Sequence, residues 1–210
     1  MGELSIVAIG PGDILPDTLI DIEGQGFLLD GNGTHTLWVT NAMGLDVMVE
    51  AVVVDETHLE APLGNAFSQL LQPGLDLGTC TLRVTRTSSV DGISSWIEVP
   101  LNLTFRNNLS PVLDQVSGSP WFPGDAIVVT GQGFLRPEEG EMVGHISGSL
   151  VSGISTRATT FITSSVPLET ISRSTALLHL TPEVLGILPA TFEGTLTIEN
   201  LAIQGGSNES

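Results

Sequence analysis

Lysine and tyrosine are absent from all 210 residues, and the only basic side chains of fixed charge are six arginines set against 24 acidic residues. The formal net charge is −18. Proteins that grip nucleic acid or anionic membrane neutralise phosphates with clustered Lys and Arg, and no such stripe can be assembled here. Nucleic acid and anionic membrane surfaces are therefore poor partners. The single cysteine, Cys80, cannot close a bridge within the chain, so disulfides do not hold the fold. No run approaches the ~20 apolar residues a membrane-spanning helix needs, so membrane insertion is not expected. The opening MGELSIVAIG has neither the charged n-region nor the apolar h-region of a secretion signal. The chain therefore reads as cytosolic or as an internal piece of a longer exported polypeptide. Its few charges and its wealth of Ser, Thr, Gly and Asn favour the second, with an extracellular or cell-surface location.

What is present is β-structure. Apolar residues make up 41% of the chain, enough for real cores. Val, Ile and Thr dominate runs in which apolar and polar residues alternate, and turn residues break them at short intervals, the pattern of a sandwich or barrel. TLIDIE, HTLWVT, VMVEAVVV, CTLRVTR and WIEVPLNLTF read as strands in the first half, and DAIVVT, MVGHIS, TTFITS, ALLHL and GTLTIEN in the second. Long amphipathic helices are missing.

The chain is written twice. One constant shift places Pro16 on Pro123, Ile20 on Ile127, Ile22 on Val129, and Gly24-Gln25-Gly26-Phe27-Leu28 on Gly131-Gln132-Gly133-Phe134-Leu135. A slightly larger shift places Gly78 on Gly194, Thr79 on Thr195 and Leu82 on Ile198. Self-similarity at about a domain's length implies two copies of one domain, residues 1–108 and 109–210, joined at the polar NNLSP. Each copy offers one helical turn before its second matching block. NAFSQLLQPG sets Phe67, Leu70 and Leu71 on one stripe behind an Asn65 cap, and TPEVLGILP offers Thr181 as cap with Pro182 at the first helical position.

The repeated Gly-Gln-Gly-Phe follows an alternating strand. Gly24, Gly26, Gly131 and Gly133 are expected to allow a bulge or a positive φ, while Phe27 and Phe134 turn back to plug their sandwiches. A phosphate-cradling loop would need a following helix N-terminus, usually with a lysine, and neither copy supplies one.

Little in the chain points to catalysis. His35, His58, His145 and His179 fall on or beside strands without metal-ligand spacing and read as half-exposed strand residues. Asp55, Glu56, Glu138, Glu139 and Glu141 lie in turns, where solvation accounts for them. No metal or cofactor is expected; the best cation candidate is Asp30, Asn32 and Thr34 in DGNGTHT, whose oxygens alternate like the front of a calcium loop. An Asx-rich hairpin accounts for the same residues without metal. Trp38 and Trp96 read as core or sheet-face residues. Trp121 and Phe122, in SPWFPG between prolines, are the candidate interaction surface, but the first copy has apolar Ile14 and Leu15 there, which favours a structural role covering an end of the sandwich or the domain junction.

SPVLDQVSGSPWFPGDAIVVTGQGFL, STALLHLTP and GTLTIEN resemble the successive segments of the IPT/TIG domain, and IVAIGPGDILPDTLIDIEGQGFL, DETHLEAPL and GTCTLRVT resemble them in the first copy. The resemblance covers nearly the whole chain. It implies an all-β fold of two tandem immunoglobulin-like β-sandwich domains and no activity of its own. Among family usages, DNA-gripping loops are excluded by the lack of basic residues. Tandem modules of exported bacterial proteins remain, serving as non-enzymatic spacer, adhesion or assembly segments. The alternative is a carbohydrate-binding accessory module of a larger polysaccharide-acting enzyme.

One departure matters. The first copy follows GTCTLRVT with the long strand WIEVPLNLTF, whereas the second ends at NLAIQGGSNES without a counterpart. A sandwich lacking that strand has an open edge. The expectation is that continuing chain, or a strand from another molecule, fills it by β-strand addition. The expected partners are therefore other domains of a longer chain or another protein, with polysaccharide under the alternative.

Overall fold

The computed structural model describes residues 2–29, 31–118, 121–122, 124–152, 159–181 and 190–202. The chain is all-β, and it divides into two compact units, Met1–Asn107 and Asn108–Ser210.

Unit 1 contains β1 (Ser5–Gly10), β2 (Asp13–Ile14), β3 (Ile20–Gln25), β4 (Gly33–Asn41), β5 (Asp46–Asp55), β6 (His58–Ala61), helix α1 (Leu63–Leu70), β7 (Leu75–Ser88) and β8 (Ser94–Phe105). Hydrogen bonding runs β1-β3-β6-β5-β4-β7-β8-β2. The two layers of the sandwich share β5, whose first half pairs with β4 and whose second half, from Val52, pairs with β6. Alternation drives the packing. Ile20, Ile22, Leu37, Val39, Leu82 and Val84 point inward and are fully buried, with polar neighbours outward. Leu103 and Phe105 of β8 complete the core, and Phe105 meets Phe67 of α1 edge-on at 5.7 Å.

Helix α1 begins three residues earlier than its Asn65 cap predicts. Pro62 occupies the cap position without a side-chain bond, and Asn65 lies inside the helix, accepting from Gln69 Nε2. Leu63, Gly64 and Phe67 form the buried face; Leu70, expected on it, is exposed because the helix runs only two turns and ends there. Gly64 is required because a Cβ there would strike the Leu15 carbonyl.

Unit 2 contains β9 (Val112–Val116), β10 (Ala126–Gln132), β11 (Gly140–Ser152), β12 (Thr159–Ser172), β13 (Thr175–His179) and β14 (Ala190–Ala202), hydrogen-bonded in the order β14-β11-β12-β13-β10-β9. It repeats the β1-β3-β6-β5-β4-β7 order of unit 1. β12 plays the part of β5, pairing with β11 up to Leu168 and with β13 beyond it. Its core holds Ile127, Val129, Phe134, Leu135, Met142, Ile146, Leu168 and Leu178. The helical turn expected after Thr181 lies outside the described residues.

Candidate functional site

The duplicated glycine motif is a structural corner. Gly26 and Gly133 adopt φ of 81° and 69°, which breaks the strand and swings Phe27 and Phe134 into their cores. Gly24 and Gly131 serve a different purpose. Added Cβ atoms there would collide with the Ser5 and Val112 carbonyls of the neighbouring strands, and at Gly131 also with the Phe134 ring, 2.8 Å away. Each motif therefore lets a strand and a phenyl ring cross the same spot.

Both corners are tied down by buried or half-buried polar groups that sequence reasoning did not single out, except Glu139, which it placed in a solvated turn. In unit 1, Arg86 on β7 is buried and donates to the carbonyls of Gly26 and Gly2 (2.6 Å for the latter) and to Ser95 Oγ. In unit 2, Asn200 on β14 donates to Gly133 O at 2.8 Å. Arg173 donates to Phe134 O and grips both oxygens of Glu139 at 2.6 Å. Glu139, expected in solvent, is 2% exposed and also accepts from the Arg136 backbone. A bidentate guanidinium partner is what makes that burial tolerable.

His35 corrects a second expectation: it is buried, not half-exposed. Its Nε2 accepts from the Leu28 backbone at 3.1 Å, and its ring meets Phe27 edge-on at 5.8 Å. Burial, and then the nearby Arg86 charge, hold its pKa below the usual 6.5. The folded protein thus resists a proton that the unfolded chain accepts. The His35 contribution to unit 1 stability is complete above pH 6.5 and is lost as pH falls from there through the lower folded-state value. Urea midpoints of the parent chain are expected to drop across that window relative to those of His35→Gln, whose amide oxygen cannot be protonated there. Parallel pH profiles would contradict it.

The calcium candidate is not brought together by what is described. Asp30 lies outside the described residues; Asn32 closes a backbone turn onto Leu29 O, and exposed Thr34 sits in the β4 ladder opposite Thr87. Among the described residues, Asp21, His58 and Glu60 form a group of metal-ligand type, with one ligand atom each within 4.8 Å of the others. His58 Nε2 lies 3.6 Å from Asp21 Oδ1 across the β3–β6 ladder.

Trp121 and Phe122 divide. Trp121 is half-buried, donates Nε1 to Gly118 O at 2.6 Å, and stacks on Phe192 of β14 with centroids 6.3 Å apart. It covers an end of unit 2. Phe122 is exposed, unlike its buried counterpart Leu15.

The more developed surface is on the outer face of unit 1. Cross-strand register places Met48 of β5, Trp38 of β4, Arg83 of β7 and Glu98 of β8 in one row, with Trp96 of β8 diagonal to Arg83. The Arg83 guanidinium lies 5.7 Å from the Trp38 ring and 5.0 Å from that of Trp96, and Glu98 holds it at 2.6 Å. Trp38 Nε1 donates to Asp46. Trp38 is 38% and Trp96 59% exposed, so the row is a solvent-facing aromatic and cationic platform. Thr40 and Thr81 join it around a shallow cavity of about 270 Å³. Asp46 also borders an apolar groove of about 400 Å³ formed by Met43, Leu45, Leu70, Leu71 and Leu75. The sequence leaves the two tryptophans as core or sheet-face residues; the structure puts both on the outer face, and the register sets one arginine between them.

The fold defines a protein of two β-sandwich-like units. The chain matches no family model and no curated protein. Similar solved structures include a tetra-tandem repeat in the extending region of a large adhesion protein, at 15% identity and a TM-score of 0.34, over 96% of this chain and 48% of that one. The full extracellular region of plexin A4 is matched at 11% identity and a TM-score of 0.28, over 85% of this chain and 21% of that one. The YadV chaperone is matched at 12% identity and a TM-score of 0.26, over 93% and 99%. At such scores nothing of these proteins' roles transfers.

Proposed function

We propose that the chain is a non-catalytic adhesion and assembly segment of an exported, surface-placed bacterial protein, built from two IPT/TIG-like sandwiches that hold distance and dock a protein partner. The observation that carries this reading is how the polar groups are used. Thr18, His35, Arg86, Ser88 and Glu139 are the buried polar residues among those described, and each holds a backbone group of its own unit. The exposed Met48–Trp38–Arg83–Trp96 row, by contrast, has the residue types that dominate interface hot spots. A second reading, a carbohydrate-binding accessory module, is favoured by the same two indoles, whose faces can stack on sugar rings.

Beads carrying the intact chain, overlaid on immobilised envelope proteins and on immobilised polysaccharides, test both. Retention on protein that falls at least ~10-fold in the Trp38→Ala, Trp96→Ala double variant, with unchanged melting, is the expected result. Tryptophan-dependent retention on polysaccharide alone, competed by free oligosaccharide, replaces the first reading with the second. Retention indifferent to both tryptophans overturns the platform.

A further inference from the structure

We propose that the open edge of β14 receives an extended strand in trans from a partner polypeptide, one that is apolar on one face and basic on the other. The inference rests on unit 2 and is independent of the platform on unit 1.

The internal duplication shows which position is unfilled among the described residues. In unit 1, β7 is paired on both sides, by β4 and by β8. In unit 2 its counterpart β14 is paired by β11 over all thirteen residues, and among the described residues no strand pairs with its other side. The core reflects this. The matching positions Cys80, Leu82 and Val84 of β7 are each 0% exposed, whereas Leu196, Ile198 and Asn200 of β14 are only half-buried. β8 covers its side of unit 1 with Ile97, Leu101, Leu103 and Phe105 at alternate positions. The segment that completes unit 2 must supply the same alternation, because the pleat turns every second side chain inward.

A second difference bears on the far side of the sheet, next to the same edge. β8 also docks β2, where Ile14 pairs with Phe105 and is fully buried. The counterpart of Ile14 is Trp121, which closes on Phe192 near the start of β14, while further along Asn200 donates to Leu109 O at 2.9 Å. That edge carries no proline and no inward charge, the devices by which exposed edges are normally blunted. Among the described residues its outer backbone groups pair with no strand, which suits β-augmentation.

Charge selects the occupant. In unit 1 the outward residue of β7 is Arg83, and β8 answers it with Glu98 at 2.6 Å. The counterpart of Arg83 is Glu199, and Glu193 and Glu141 lie on the same outward face. Glu199 is held on one oxygen by His145 at 3.0 Å, yet its side chain remains 56% exposed. A strand in the β8 position therefore meets a carboxylate where β8 meets a guanidinium, and it is matched by Arg or Lys. A second copy of this chain, carrying −18, is a poor donor of such a strand.

The test uses the whole 210-residue chain and three labelled twelve-residue peptides: the β8 sequence SSWIEVPLNLTF, the same with Glu98→Arg, and the Glu98→Arg peptide with its Leu101, Leu103 and Phe105 positions changed to Ser. Fluorescence anisotropy is expected to show the Glu98→Arg peptide binding at least ~10-fold more tightly than the unaltered one, with amide shifts confined to β14 and its neighbours. The serine peptide is expected not to bind. In the chain variant Glu199→Arg, the preference between the first two peptides is expected to reverse. Failure of every peptide to bind, equal affinity for the first two, or a dimer whose β14 amides are already protected from exchange would each overturn the proposal.

Discussion

Gly131→Ala is expected to destabilise unit 2 by at least ~3 kcal/mol, among the largest effects of any single methyl group added to this protein. The new Cβ has nowhere to go. One neighbour is the Val112 carbonyl, fixed in the β9–β10 ladder, and the other is the Phe134 ring, fully buried beneath it. Neither is the loose end of a flexible side chain, so the strand crossing itself must open. For a unit of this size ~3 kcal/mol corresponds to a fall of roughly 12 °C or more in melting midpoint. Gly24→Ala is expected to do the same to unit 1, through Ser5 O and the Phe27 ring. Calorimetry on the intact chain, in which each variant lowers the transition of its own unit, is the measurement. A shift below ~3 °C would show that the corner yields and that the repeated glycine is not a steric requirement.

Arg173→Met is expected to cost unit 2 about 3–5 kcal/mol, because it strands a carboxylate rather than merely removing a bond. The Glu139 side chain is wholly buried, both of its oxygens are held by Arg173, and the same guanidinium holds Phe134 O. The double variant Arg173→Met, Glu139→Leu is expected to recover much of the loss, since no unpaired charge is then buried. Urea denaturation of the three chains resolves the cycle. A double variant no better than Arg173→Met would mean that the guanidinium acts mainly as a donor to the corner carbonyl.

Period-two alternation was enough to place the long strands of both units, because a half-buried sheet writes its two faces directly into the chain. The Gly-Gln-Gly-Phe corner was legible for a related reason: glycine followed by an aromatic ring marks a local backbone event. What was not legible depends on partners far away in sequence. Glu139 looks like any turn carboxylate until Arg173 is folded against it, and Arg86 looks like a surface strand residue until Gly26 and Gly2 present their carbonyls. His35 occupies an inward position of β4, which alternation indicates, but its burial is tolerable only because the Leu28 amide meets Nε2. The platform was hidden differently. Trp38, Arg83 and Trp96 belong to three strands, and their meeting is a matter of register, to which composition is blind. Trp121, for which the apolar counterpart Ile14 favours a structural role, packs on Phe192, a partner that only the fold reveals. For α1, the Asn65 signal was overridden because the helix is set by Phe67 and Leu63 entering the core.

The sharing of β5 and β12 between layers has a mechanical consequence. Because a single run of backbone is stitched into both halves of each unit, neither half can peel away while the other stays whole. Pulled from its ends, the chain would then respond as two discrete links, each giving way all at once, and a proteolytic nick within either shared strand would unravel its whole link where a nick in a hairpin tip would leave it standing.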